Sequence, residues 1–237
     1  MFQQMPDGWP GVEPATLRVA LERAEKALDD DGLVVRRLAA YYRRDGDYAG
    51  ATFLSLNPND PGSISPSDLL AVTTLSVDIP PRAVRHLVEP GADANHVNNL
   101  LAAPELDPSI DLLTARTATV AKMSDLYEAV KAALAPAHVK RSDRWLTASK
   151  LCARRRPYLF PVRDTVVTTF LQTRDRESYS IDWQVYYALL DHRPLAERLE
   201  AAVDTAARED GVDVGDRTAL LRHLDVALWM YASKQPV

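Results

Sequence analysis

Only one cysteine, Cys152, occurs in this chain of 237 residues. No disulfide framework is available within it, and a reducing, cytoplasmic location is the expectation. Long apolar runs are missing as well. No window approaches the roughly 18 apolar residues that a membrane span needs, so no membrane association is expected. Met1–Val12 has neither a basic residue nor an apolar run, which argues against a secretory leader. His86, His96, His138, His192 and His223 show no metal-ligand spacing, and one thiol cannot build a thiolate zinc site. Neither a metal nor a cofactor is expected. No Gly-x-Gly-x-x-Gly, no phosphate loop and no Gly-x-Ser-x-Gly turn appears. These absences weigh against dinucleotide oxidoreductases, P-loop nucleotidases and serine hydrolases of the elbow type.

What remains is helical periodicity. Leu17, Leu21, Ala24 and Leu28 recur at helical spacing after Pro14, which suits a first turn. A second helix is predicted from Leu33 to about Arg44. Tyr48–Leu56 is ambiguous: Thr52-Phe53-Leu54 suits a short strand but has no partner run nearby. Asn57-Pro58-Asn59-Asp60-Pro61-Gly62 is the strongest loop in the chain. Ser65-Pro66-Ser67-Asp68 reads as a helix start, with Ser65 as cap and Asp68 at the positive end of the dipole. Apolar faces then follow at Met123–Leu134, Trp145–Cys152, Val166–Leu171, Trp183–Leu190, Leu195–Val203 and Leu220–Tyr231. The prediction is an all-α protein of about ten helices: an arm over residues 1–13, then a single helical domain over 14–237 with lobes at 14–136 and 137–237.

Charge is unevenly spread. The chain carries −5 overall. Between Lys140 and Arg163 stand eight basic residues (Lys140, Arg141, Arg144, Lys150, Arg154, Arg155, Arg156 and Arg163) against one acid, Asp143. Such a strip can present a local anion site on an acidic protein, or it can be neutralised by the protein's own carboxylates. Within it, Lys150 lies in a small and apolar helical stretch, where desolvation can make a lysine nucleophilic or where its stem can simply snorkel. Asp164 stands at the mouth of the next helix. It suits an N-cap, and it equally suits a carboxylate beside a cationic sugar-like transition state. Cys152 shares a face with Ala148 and reads as a small buried thiol. Arg222 and Asp225, three apart, suit an intrahelical pair, or a clamp on the Lys150 helix. Trp145, Trp183 and Trp229 are candidates for stacking a base, although tryptophans among leucines more often fill a core.

Three segments carry a resemblance: Ala148-Ser149-Lys150 followed by Pro157-Tyr158-Leu159-Phe160-Pro161-Val162-Arg163-Asp164-Thr165, Ser67–Val72, and Leu221–Met230. Together they resemble a bacterial all-α family of uncharacterised function. More distantly, the lysine followed by Pro-Val-x-Asp is similar to the helix-hairpin-helix DNA glycosylases. Leu146-Thr147-Ala148-Ser149 stands where that superfamily's hairpin carries glycines. The resemblance implies a glycosylase-like helical architecture and action on a nucleobase or N-glycoside. Lys150 would be nucleophile or electrostatic aid, and Asp164 would support the oxocarbenium-like state. Lys140, Arg141, Arg144, Arg154, Arg155, Arg156 and Arg163 would hold phosphate, with DNA or a nucleotide-like ligand as partner. Two alternatives stay open: a non-catalytic module binding nucleic acid or an anionic ligand, and an interaction protein whose basic strip meets an acidic partner.

Overall fold

The structure is a computed structural model that describes Trp9 and residues 11–135, 144–174 and 178–235. It is all-α. Eleven α-helices and three short 3₁₀ or π turns account for the regular structure, and no strand occurs among the described residues. The ambiguous stretch after Tyr48 becomes a 3₁₀ turn, Ala49–Thr52, followed by further turns. Most of the predicted arm lies outside the described residues, but Trp9 within it is buried, with its ring 5.8 Å from that of Tyr187.

The chain forms two compact units: residues 1–51 with 163–237, and residues 52–162. The lobes expected from the sequence were 14–136 and 137–237. A cut there would part α6 (Thr117–Leu134) from α7 (Trp145–Arg155), which pack on each other.

The first unit holds α1 (Pro14–Ala27), α2 (Asp31–Tyr42), α8 (Thr165–Phe170), α9 (Tyr179–Asp191), α10 (Arg193–Ala206) and α11 (Leu220–Ala232). Helix α2 packs on α10 and α11, and α8 lies on α11. Local chemistry sets the starts. Asp30 accepts the Leu33 amide at 3.0 Å to cap α2, and α1 and α10 begin on prolines whose missing N–H costs nothing there. The apolar stripes of these helices, among them Leu17, Leu38, Leu199, Leu224 and Leu228, are all buried.

The second unit holds α3 (Pro66–Thr73), α4 (Pro81–Ala83), α5 (Ala92–Leu101), α6 and α7. The Ser65 start is built as the sequence indicates: the Ser65 amide and hydroxyl both donate to Asp68 Oδ2 at 2.8 Å. Helix α7 is the centre of this unit, packed by α3 and α6. It is buried along nearly its whole length, from Thr147 to Arg155. A helix enclosed on all sides must bury its charged residues too, and each then needs a partner.

Candidate functional site

That requirement decides the fate of the basic strip. Arg154, Arg155 and Arg156 are 1–2 % exposed. Arg154 donates from Nε to Asp68 Oδ1 at 3.0 Å, and from its two terminal nitrogens to the carbonyls of Phe53 (2.6 Å) and Leu56. Arg155 meets Asp68 Oδ1, Asn59 Oδ1 and the carbonyls of Asp60 and Ser63. Arg156 meets the carbonyls of Leu106, Pro61 (2.8 Å) and Leu101 (2.5 Å). Asp68 itself is fully buried, with one oxygen capping α3 and the other taking both arginines. Burial pushes the Arg155 guanidinium down to about 10, with Asp68 pulling the other way. It therefore stays cationic at neutral pH. Arg163 is also buried, donating to Asp182 and to the Arg174 carbonyl.

The expected phosphate-binding strip is corrected at these four positions. Arg154, Arg155, Arg156 and Arg163 form no solvent-facing patch, because they are buried and most of their donors are taken by the protein's own carbonyls, carboxylates and the Asn59 amide oxygen. Arg144 is half-buried ahead of α7. Lys140 and Arg141 lie outside the described residues. What Arg154, Arg155 and Arg156 do, at and just past the end of α7, is hold the loop from Phe53 to Ser63 by its backbone. Residues 57–62 are thereby exposed on a fixed frame, with the Asn59 amide turned in to Arg155 and the Leu54 carbonyl.

Lys150 is 2 % exposed and its Nζ donates to the Leu75 carbonyl at 2.8 Å. It belongs to the second unit, whereas Asp164 belongs to the first. Cys152 is buried, and burial pushes its thiol up, so it is no thiolate nucleophile. Trp183 is a core side chain, with its ring 4.9 Å from Tyr179. Trp145 is half-buried under Lys131, whose Nζ lies 5.2 Å from the ring centre. Trp229 is half-buried in the first unit, edge-on to Tyr41 and Tyr48 at 6.2 and 6.0 Å.

Around Trp229 the first unit gathers a polar network that the sequence reading saw only in part. Arg222 donates to Asp225 Oδ2 at 2.6 Å, the intrahelical pair that the spacing suggests. Its other terminal nitrogen donates to the Tyr41 hydroxyl at 2.5 Å and to the Gly50 carbonyl at 3.1 Å. The Tyr186 hydroxyl lies 3.4 Å from Asp225 Oδ1. Burial opposes the Arg222 cation, yet Tyr41, Asp225 and Tyr42 together hold its pKa above the usual range. Beside it, His223 shares one ring nitrogen with the Asp216 carbonyl (2.9 Å) and the other with the Tyr42 hydroxyl (3.0 Å). A carbonyl only accepts, so Nε2 carries the proton and Nδ1 accepts from Tyr42. Burial, first, and Arg222 hold this imidazole down at about 4, against the carbonyl of Asp216.

Asp164 adjoins this network. It caps α8, with Oδ1 accepting the Val166 amide at 2.8 Å, and it is half-exposed. Phe170 near the far end of α8 meets Tyr231 on α11, ring centres 5.3 Å apart. Six residues back along each helix stand Asp164 and Asp225. The electrostatics agree: burial is the largest cause that raises the phenols of Tyr41 and Tyr186, and the charges of both Asp225 and Asp164 raise them further. The site is thus a half-exposed carboxylate beside a buried Arg–Asp–Tyr network, with Tyr48 and Trp229 as half-exposed aromatic faces nearby. Among the described residues no group of three or more His, Cys, Asp or Glu side chains is arranged to hold a metal ion. No helix among them is long and apolar enough to cross a membrane.

Tyr41, Tyr42, Tyr186, Asp182 and His223 were not singled out as a set by their spacing. Their partners lie up to 181 positions away along the chain, and the only local signal was the Arg222-x-x-Asp225 pair. No curated protein and no solved structure matches the chain. A family model matches residues 34–232, and on that match the chain belongs to the family of unknown function DUF6308.

Proposed function

We propose that this protein recognises, and hydrolyses, the N-glycosidic bond of a nucleobase-bearing ligand, with Asp164 as the carboxylate beside the reacting sugar. The reading rests on the resemblance to helix-hairpin-helix glycosylases in the segment that ends at Asp164, and the same resemblance supplies the expected glycosylase-like architecture. The observation that carries it is the setting of Asp164: an N-cap carboxylate, half-exposed, backed by Arg222, Asp225 and two protonated phenols. A carboxylate fixed there stabilises positive charge at an anomeric carbon as the base departs. Water then bonds to that carbon, the base keeps the glycosidic electron pair, and the proton released by water ends on the base. Tyr48 and Trp229 offer the stacking surface for the base.

Two observations narrow the reading. Lys150 is buried with its ammonium on a backbone carbonyl, which favours attack by water over imine formation. Arg154–Arg156 are committed internally, which favours a small N-glycoside or an unpaired base over tight binding along a duplex backbone. The test is a panel of purine and pyrimidine nucleosides, together with duplexes carrying damaged bases or abasic sites, scored for free base. We expect release from nucleosides or single-stranded substrates, no borohydride-trapped adduct, and little dependence on salt. A trapped adduct lost in Lys150→Gln would replace hydrolysis by imine chemistry. Duplex binding that falls steeply with salt would restore the phosphate-strip reading. No base release and no base binding anywhere in the panel would end the proposal.

A further inference from the structure

Asp164 is carried by a helix of six residues, α8. So short a helix has too few internal bonds to fix its own direction, and the carboxylate it presents is only as well placed as whatever holds the helix. The structure shows one side chain holding it at both ends. Arg163, immediately before Asp164, is 8 % exposed and donates from one terminal nitrogen to Asp182 on α9. Its other terminal nitrogen donates to the carbonyl of Arg174, beyond the far end of α8, at 3.3 Å. The guanidinium therefore brackets the helix. Asp182 is 5 % exposed. One turn further along the same face of α9 stands Tyr186, the phenol that meets Asp225 and senses the charge of Asp164. Burying an ion pair is costly and seldom the most stable solution for a core. A pair retained beside the candidate carboxylate, on the helix face that also meets the Asp225 network, has a placing role available to it that an apolar pair would not supply.

We propose that Arg163 and Asp182 are positioning residues for Asp164: their buried pair fixes where α8 begins and hence where the carboxylate sits. The inference rests on the reading of Asp164 as the working carboxylate, but its first test does not depend on turnover. The capping bond from the Val166 amide to Asp164 reports the placement directly, and its opening is read by hydrogen exchange in the full chain without any ligand. In Asp182→Asn we expect the Val166 amide to exchange at least tenfold faster, while the amide of Leu228 on α11 exchanges as in the wild type. Asp182→Glu, which keeps the charge, restores most of the protection. Arg163→Lys keeps the cation but loses the fork that reaches two partners, and falls between. If Asp182→Asn does not fold, Arg163→Lys and Asp182→Glu carry the comparison. On any nucleoside that the wild type cleaves, the same variants lower kcat at unchanged KM in the same order. Unchanged Val166 exchange in folded Asp182→Asn, or in Arg163→Lys where the former does not fold, overturns the inference. So does a loss of protection spread equally through α11, because that is general loosening rather than placement. A wild type inactive on every substrate would end the functional reading and leave the exchange result to decide the positioning claim.

Discussion

Each unit buries arginines, and the partners differ. In the second unit Arg154 and Arg155 share one carboxylate, Asp68, while Arg156 meets backbone carbonyls alone, and most of the other donors of the three also go to backbone carbonyls. In the first unit Arg222 meets a carboxylate, a phenol and a single carbonyl, and the half-exposed Asp164 stands at the edge of that network. Guanidiniums turned onto backbone carbonyls fix the path of a chain. Cations set among titratable side chains tune charge. A run of basic residues in the sequence therefore says little by itself about a basic surface; what answers each cation in the fold decides its role.

The contrast breaks first at Asp68. Asp68→Asn keeps the size and the hydrogen-bonding shape but leaves buried guanidiniums without their charge partner. Breaking a buried pair from one side costs about 3–5 kcal/mol, a large share of the stability of an ordinary domain. Urea unfolding of this variant should show a strongly lowered midpoint. An unchanged midpoint would mean that Arg154 and Arg155 face water after all. Asp225→Asn removes the charge partner of Arg222 in the first unit. A loss of roughly 3 kcal/mol is expected by the same reasoning, accompanied by weaker base binding or turnover, which Asp68→Asn should affect only through folding. Equal functional loss per unit of stability in both variants would erase the difference between the two networks.

His223 sharpens the contrast through pH. Its imidazole is neutral in the fold down to about 4, whereas an unfolded histidine takes up a proton near 6.5. Between these values the unfolded chain binds more protons, so this contribution to stability is complete above about 6.5 and falls away as pH drops toward 4. The full contribution is up to roughly 3 kcal/mol. Stability measured from pH 7 to 4 should decline less steeply in His223→Gln than in the wild type. Parallel curves would show that burial and Arg222 do not hold His223 neutral in the fold.

Much of the fold was legible from local signals. The 3.6-residue apolar stripes, the Ser65–Asp68 start and the cap at Asp164 depend on neighbours a few positions apart, and each is present. The burial of Cys152 and Trp183 and the Arg222–Asp225 pair followed from the same kind of spacing. The fate of the arginines did not, because their partners lie 50 to 101 residues away. The composition of α7 held a warning: Ala148, Leu151 and Cys152 lie in the same helix as Arg154 and Arg155, and a helix buried among neighbours takes its charges with it. Asp68 shows its helix-start role in its own four-residue motif, but nothing local indicates that its second oxygen holds two arginines. The division into units was hidden for a related reason, since the first is assembled from both ends of the chain.

The smallest expected effect on stability belongs to the residue with the largest expected effect on function. Asp164→Ala removes the cap of α8 and should cost about 1 kcal/mol, whereas Asp164→Asn keeps it, because Asn caps as well as Asp. The direct test of the account is therefore base release by Asp164→Asn, measured beside its unfolding midpoint. The account predicts an unchanged midpoint and turnover lowered by at least about a hundredfold, the scale of losing one well-placed electrostatic stabiliser. Turnover equal to that of the wild type would reduce Asp164 to a helix cap and contradict the account.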